Sequence, residues 1–348
     1  MIKKLILNDY ILERQIGSGT NCKVHLAFNK QSGKYCALKV VKNNDNVNSH
    51  QKAINNEIDI LQKLNHPNII NLIDHSNKGT LAKSNGIIIN FASVFFSALE
   101  LARNGEIFDY IKETGNFPEK VSRFYFKQLI SALEECNSKG ISHRDLKLEN
   151  IFLDGSFNMK IGDFGCSSSQ TSQKELTTIC GTEGYAAPEV FRKVPYDGTS
   201  VDIFAAGVIL FILYAGYPPF CSTISSNRHY RLISHNNHRV FWKKHTVAAK
   251  KGDEFFSDDF KNLVNSMLAY EPKDRPSIAQ IKKHPWFVGQ TATQYEVLRE
   301  MGLRKPLVDT AREEELVLQQ VHDQPKKSKA TEPNYAYENL SPGFIARQ

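Results

Sequence analysis

The sequence predicts an α+β chain: a small antiparallel sheet carrying one main helix, followed by a larger, mainly helical part. Three observations predict it. β-rich pieces at residues 10–16, 23–29 and 35–41 alternate with glycine-rich or polar breaks. Ile54, Ile58, Leu61 and Leu64 then recur at the spacing of one helical face, and that pattern stops at His66-Pro67. Beyond Phe117-Pro118 the apolar residues recur with helical rather than strand periodicity.

Taken in order, the three strands precede a helix over residues 49–64, and two more strands lie between Ile69 and Leu101, joined by a connection over Asn77 to Gly86. Val121, Phe124, Leu129, Leu133 and Cys136 line one face of a long helix that ends at Gly140. Further helices are expected at 202–215, 258–269 and 277–283. Past Trp286-Phe287 the chain becomes charged, and Pro325 to Pro333 is rich in lysine and small polar residues, so residues 288–348 read as a partly disordered tail.

Composition narrows the function classes. With 348 residues and 41% hydrophobic content, one large two-part domain can bury a full core. The net charge of +7 comes with lysines and arginines spread along the chain, which implies no nucleic acid. Six cysteines show no Cys-x-x-Cys pair, so neither zinc nor a disulfide framework is indicated, and a cytoplasmic setting is expected. Only Leu5, Ile6 and Leu7 follow the two N-terminal lysines, too few for a secretory core. The apolar run Ile203 to Ala215 is shorter than the roughly 20 residues a bilayer needs and reads as a buried helix, so no membrane partner is expected.

The chemistry concentrates in a few short stretches. In His143-Arg144-Asp145-Leu146-Lys147-Leu148-Glu149-Asn150 one loop supplies an acid, a cation and a carboxamide at fixed spacing. Phosphoryl transfer needs that set: an aspartate to orient a hydroxyl and take its proton, a lysine to neutralise growing charge, an asparagine oxygen to hold a metal ion. Asp163-Phe164-Gly165 follows, and a hard carboxylate there suits Mg²⁺. The stretch Gly17-Ser18-Gly19-Thr20-Asn21-Cys22-Lys23-Val24 offers small residues that let backbone amides approach phosphates, although Cys22 stands where a third glycine is usual. Lys39 ends the apolar run Ala37-Leu38 and needs an anionic partner, for which Glu57 lies on the sheet-facing side of the predicted helix.

Together with Ala187-Pro188-Glu189, these residues resemble the protein kinase superfamily over residues 10–287. Lys147 and Gly181-Thr182-Glu183-Gly184-Tyr185 look like the serine/threonine branch, and Cys180-Gly181-Thr182 resembles the calcium/calmodulin-dependent group. The resemblance implies a bilobal fold, with a five-stranded N-terminal lobe over 10–101 and a C-terminal lobe over 102–287. It implies a kinase acting on protein substrates with ATP and Mg²⁺. Asp145, Lys147 and Asn150 would be catalytic, and Asn150 and Asp163 would hold the metal. Ile16, Gly17, Ser18, Gly19, Val24, Ala37, Lys39, Glu57, Glu100, Leu101, Glu106 and Phe152 would surround the nucleotide, with Leu99 as gatekeeper and backbone groups of Glu100 and Leu101 meeting adenine. Asp202 would brace the fold, and Arg275 would pair with Glu189.

Arg144 beside the catalytic aspartate implies control by a phosphate on the following segment, with Thr178 favoured over Thr177 and an upstream activating kinase as partner. Glu106 and Glu149 match positions that read an upstream arginine in basic-directed relatives, whereas Ile212 replaces a glutamate kept by the strictest of them. The His75 to Val94 connection is longer than the family's hairpin. The competing reading is a pseudokinase that binds partners without chemistry. Binding of calmodulin by the tail is disfavoured, because Glu296 and Glu300 dilute the basic pattern of Arg299, Arg304 and Lys305.

Overall fold

The computed structural model describes residues 5–18, 22–41, 47–83, 88–169, 176–192, 194–223 and 227–322. Residues 1–308 form one compact unit and residues 309–348 a second. The first unit begins with a closed antiparallel barrel of six strands: β1 (Leu5–Leu7), β2 (Tyr10–Ser18), β3 (Cys22–Asn29), β4 (Lys34–Val41), β5 (Leu72–Lys83) and β6 (Ile88–Leu99). Its order is β1-β2-β3-β4-β6-β5, and β1 pairs with both β2 and β5.

This corrects the five-stranded sheet expected from the sequence. The extra strand is three residues long, and Leu5 pairs with Lys83, far along the chain. The long connection at 75–94 is corrected too. Most of it is strand, because β5 continues to Lys83 to reach β1; residues 84–87 lie outside the described residues. Closure is tight at Gly79, where a Cβ would meet the Val94 carbonyl oxygen at 2.8 Å and Leu7 Cδ1 at 2.9 Å. Only glycine fits there. Leu7, Tyr10, Ala27, Leu38, Phe96 and Ala98 fill the barrel.

Helix α1 (Val47–Leu61) packs beside the barrel and buries Ile58 and Leu61, as the period predicts. The helical part contains α2 (Ile107–Thr114), α3 (Glu119–Ser138), α4 (Gly198–Ala215), α5 (Arg228–Ser234), α6 (His238–Ala249), α7 (Asp258–Met267), α8 (Ile278–Lys283) and α9 (Pro285–Val288). Short strands β7 (Ile141–Ser142), β8 (Ile151–Leu153), β9 (Met159–Ile161) and β10 (Ser168–Ser169) form two small ribbons, β7 with β10 and β8 with β9. They carry the loops between them.

Helix α4 is long and apolar enough to cross a membrane, but it is buried along nearly its whole length inside this core. It starts on Asp197, whose carboxylate accepts from the Thr199 and Ser200 amides, a cap worth about 1 kcal/mol. Gly216 ends it in the left-handed region, φ 86°, where a Cβ would meet the Asn116 amide nitrogen at 2.9 Å. Phe211, Trp242, Phe256 and Phe260 stack into one aromatic cluster that locks α4, α6 and α7 together.

Where the sequence reading places a tail, the structure has helix α10 (Gln294–His322). Within the first unit Val297, Met301 and Val308 are fully buried, and the Arg304 guanidinium lies over the Phe117 ring and donates to the Thr114, Gly115 and Asn116 carbonyls. The second unit's described part, residues 309–322, is the end of this helix, with Leu316, Val317 and Leu318 exposed. Residues 323–348 lie outside the described residues.

Candidate active site

On β4, Lys39 stands opposite Val24 of β3 and Ser97 of β6. Its Nζ donates to Glu57 Oε2 of α1 at 2.7 Å and reaches Asp163 Oδ1 at 3.5 Å. Burial works against the lysine charge, but Glu57 and then Asp163 outweigh it and hold the ammonium above its ordinary pKa. Burial pushes the Glu57 carboxyl up, opposed chiefly by Lys39. The pair is buried at Glu57 and open on the Asp163 side, whose side chain is 51% exposed.

The other residues expected to surround a nucleotide are placed as follows. Ala37 is opposite Leu99, and Gly17 is opposite Val24; Ile16 and Ser18 are exposed on β2. Gly19 lies outside the described residues. The Glu100 amide donates to the Asn71 carbonyl at 2.9 Å, which leaves its carbonyl as the backbone group for an adenine. Its carboxylate is taken by Lys160 at 2.8 Å and by Asn71 Nδ2 at 3.0 Å. Leu101 follows at half-burial. Glu106 and Phe152 are joined by a strand bridge, so the residues expected at the ribose and beneath the base share one backbone contact.

The loop carrying Asp145 hangs from Asp202 on α4. Its two carboxylate oxygens accept from the His143 amide at 2.7 Å and the Arg144 amide at 2.8 Å. Full burial raises its pKa to about 6, against His143 and these backbone bonds. Arg144 takes φ 66°, a strained value for a side chain of this size, and the Asp202 bracket holds it. His143 meets Phe164 edge-on at 4.8 Å and contacts the Gly162 carbonyl at 3.0 Å. Asn56 of α1 donates to the Ser167 carbonyl at 2.8 Å. These contacts tie helix α1, the loop and the segment after Asp163 to one another.

Asp145 is held on both oxygens. Thr182 Oγ1 donates to Oδ1 at 2.8 Å, and Lys147 Nζ lies 3.1 Å from Oδ2 while also donating to Thr182 Oγ1 at 2.8 Å. Asn150 Nδ2 donates to the Asp145 carbonyl at 2.8 Å, which turns Oδ1 to the other side of the amide. Thr182 is the participant that residue-by-residue reasoning overlooked. Its signal was present in Gly181-Thr182-Glu183, but as a mark of branch rather than as a hydroxyl.

The donor chemistry suits Mg²⁺ and a nucleotide. Asn150 Oδ1 and the half-exposed Asp163 carboxylate are hard oxygen donors, and the described residues hold no cluster of three His, Cys, Asp or Glu that would cage a metal alone. Mg²⁺ characteristically takes one or two carboxylates and completes its shell with water and phosphate.

Downstream, Thr178 is exposed, as is Thr177, and the Thr178 carbonyl accepts from the Tyr196 hydroxyl at 2.7 Å. Arg144 Nη1 donates to that same hydroxyl at 3.4 Å, and its Nε donates to the Cys166 carbonyl at 2.8 Å. A hydrogen bond from Cys166 brings the Cys180 thiol down to about 6, against burial. Glu149 is reached by the Tyr185 hydroxyl, while its Oε2 is buried without a hydrogen-bond partner among the described residues. Arg275 grips Glu189 bidentately, at 2.6 and 2.8 Å, with both side chains almost fully buried. Ile212 is buried in α4.

Comparison with known proteins adds independent findings. The family model described as the protein kinase domain matches residues 10–287. The chain is 37% identical over 290 residues to CBL-interacting serine/threonine-protein kinase 24 of Arabidopsis thaliana, covering 82% of this chain and 59% of that one. It is 34% identical to CBL-interacting protein kinase 11 of Oryza sativa subsp. japonica, covering 82% and 52%. A probable serine/threonine-protein kinase of Dictyostelium discoideum is 33% identical, covering 86% and 33%. The chain spans about half the length of the curated plant relatives it matches.

Proposed function

The chain belongs to the protein kinase family, and from that premise we propose that it is an ATP-dependent enzyme that phosphorylates serine and threonine hydroxyls of protein substrates. The observation that carries this reading is the closed set Asp145, Lys147 and Thr182, with Asn150 tied to the Asp145 backbone. A carboxylate fixed on both oxygens loses little freedom when it orients a hydroxyl.

Asp145 accepts the proton of the incoming hydroxyl. Lys147, already on the Asp145 carboxylate, presents its charge where the transferred group becomes more anionic. Lys39 neutralises nucleotide phosphate and is itself aimed by Glu57. Magnesium, held by Asn150 and Asp163, would supply further neutralisation of phosphate charge. Ala37, Leu99 and Phe152 give the base an apolar slot, and Glu106 stands beside Phe152 for the ribose.

Phosphorylation of Thr178 by an upstream kinase is the proposed switch. Arg144 reaches the Thr178 carbonyl through the Tyr196 hydroxyl, so a phosphate on the exposed side chain would arise next to a guanidinium. The buried, unpartnered Oε2 of Glu149 supports a preference for one basic residue upstream of the acceptor, near three positions before it. A cytoplasmic site of action is supported by six cysteines without a pairing pattern.

The test is phosphate transfer from labelled ATP to a degenerate serine/threonine peptide library, with Asp145→Asn as control and with chain first phosphorylated by an activating kinase. Incorporation above the control is expected; none would leave a pseudokinase. Undiminished turnover in Thr178→Ala would remove the switch, and an acidic or proline-directed library profile would remove the basic preference.

A further inference from the structure

The positive charge of this chain has one address. Cations are spread throughout, but acids are not: between Asp202 and Asp253 there are seven lysines and arginines and no aspartate or glutamate. The rest of the chain is balanced, with 37 residues of each sign, so the whole +7 excess belongs to this stretch. Helix α6 lies within it.

Between α6 and α7 is a cleft of about 420 Å³, within the size range of ligand sites. Arg239 and Lys243, one turn apart, form one wall, and Lys261 and Asn265 of α7 face them. Trp242 lines the cleft and is itself buried, with its Nε1 donating to Asn265 Oδ1 at 3.0 Å. Arg239 and Lys243 have no ion pair among the described residues, and Lys261 pairs only with Asp258, which is fully exposed. Cations four residues apart on one helix repel each other, and the one acid lining the cleft, Asp258, is paired with Lys261.

We propose that the α6–α7 cleft is a docking site for a phosphorylated serine or threonine on a segment of a protein partner. The two cations unpaired among the described residues, Arg239 and Lys243, match the near-dianionic charge of a phosphoryl group better than the single charge of a carboxylate, and Arg239 can grip it bidentately. The choice of phosphoserine and phosphothreonine rests on the kinase reading: such groups are that enzyme's product, and a cleft away from Asp145 would retain substrates already modified once.

The test is fluorescence anisotropy of the full chain, without ATP, using a labelled ten-residue library with one fixed phosphoserine. Saturable binding is expected, weakened at least tenfold by Arg239→Glu with Lys243→Glu and by replacing phosphoserine with serine or glutamate. Arg228→Glu with Lys250→Glu alters net charge equally outside the cleft and should change affinity less than twofold. Equal binding of the three libraries, equal loss in both double variants, or binding only to phosphatidylserine vesicles or an oligonucleotide would overturn the site. Because no transfer is needed, failure here leaves the kinase reading standing, and failed transfer with intact phosphopeptide binding would remove only that reading.

Discussion

Two buried ion pairs do opposite jobs in this molecule. Arg275 and Glu189, in the helical part, are closed on each other: two short bonds, the remaining guanidinium donors spent on backbone carbonyls, and exposures of 1% and 4%. Lys39 and Glu57, beside the barrel, make one short bond and leave the lysine facing a half-exposed aspartate. The saturated pair suits holding a fold, whereas the open pair suits the phosphate-binding role proposed for Lys39. Satisfaction, rather than burial alone, distinguishes them.

The largest expected effect falls on the closed pair. Arg275→Leu strands a buried Glu189 and should cost about 3–5 kcal/mol of stability in urea unfolding; a loss under about 1 kcal/mol would break the contrast. Lys39→Met should instead lower kcat/KM about 10²–10³-fold, with a smaller stability change than Arg275→Leu. A melting curve as damaged as that of Arg275→Leu would make both pairs structural.

The helical part should also resist charge elsewhere. His245, buried in the aromatic cluster, has its pKa brought down by burial to about 4. The unfolded chain therefore binds this proton first, and stability is full above pH 6.5 and falls as the pH drops toward 4. The loss reaches about 3 kcal/mol, from 1.36 kcal/mol per pKa unit. His245→Phe should flatten that part of the pH–stability curve relative to the parent.

Thr182→Val removes the hydroxyl between Lys147 and Asp145 and should cost about 1.5–3 kcal/mol in kcat, roughly ten- to hundredfold, with KM for ATP nearly unchanged. Equal loss in KM would place Thr182 in binding instead. The smallest effect is chemical: Cys180 should react with iodoacetamide with a midpoint below that of an ordinary thiol, and Cys166→Ala should move that midpoint upward, since the Cys166 hydrogen bond is its leading cause.

Much of the site was legible because its members sit in short stretches whose spacing survives folding. Lys39, Glu57 and Asp163 come from three such stretches, and the structure brings their charged groups together. What escaped depends on distance along the chain or on repetition too sparse to see. The strand at Leu5–Leu7 is too short to show a period, and its second partner lies at Leu81 to Lys83. Among the described residues, the buried ones of α10 are Val297, Met301 and Val308, set among charges and interrupted by Pro306. The α6–α7 cleft needs two helices to exist before it exists. Thr182 was legible as a letter in a motif but not as a hydroxyl, because its role lies in a bond to a residue on another loop.

The short N-terminal strand also sets an order of events. A barrel closed through β1 has no free edge, but closure requires residues 5–7 to wait for residue 83. Until then two strands remain unpaired at their borders, and the separation raises contact order in the lobe that positions Lys39. Removing Leu5 to Leu7 would leave those borders open for good, turning a folding delay into a permanent adhesive surface.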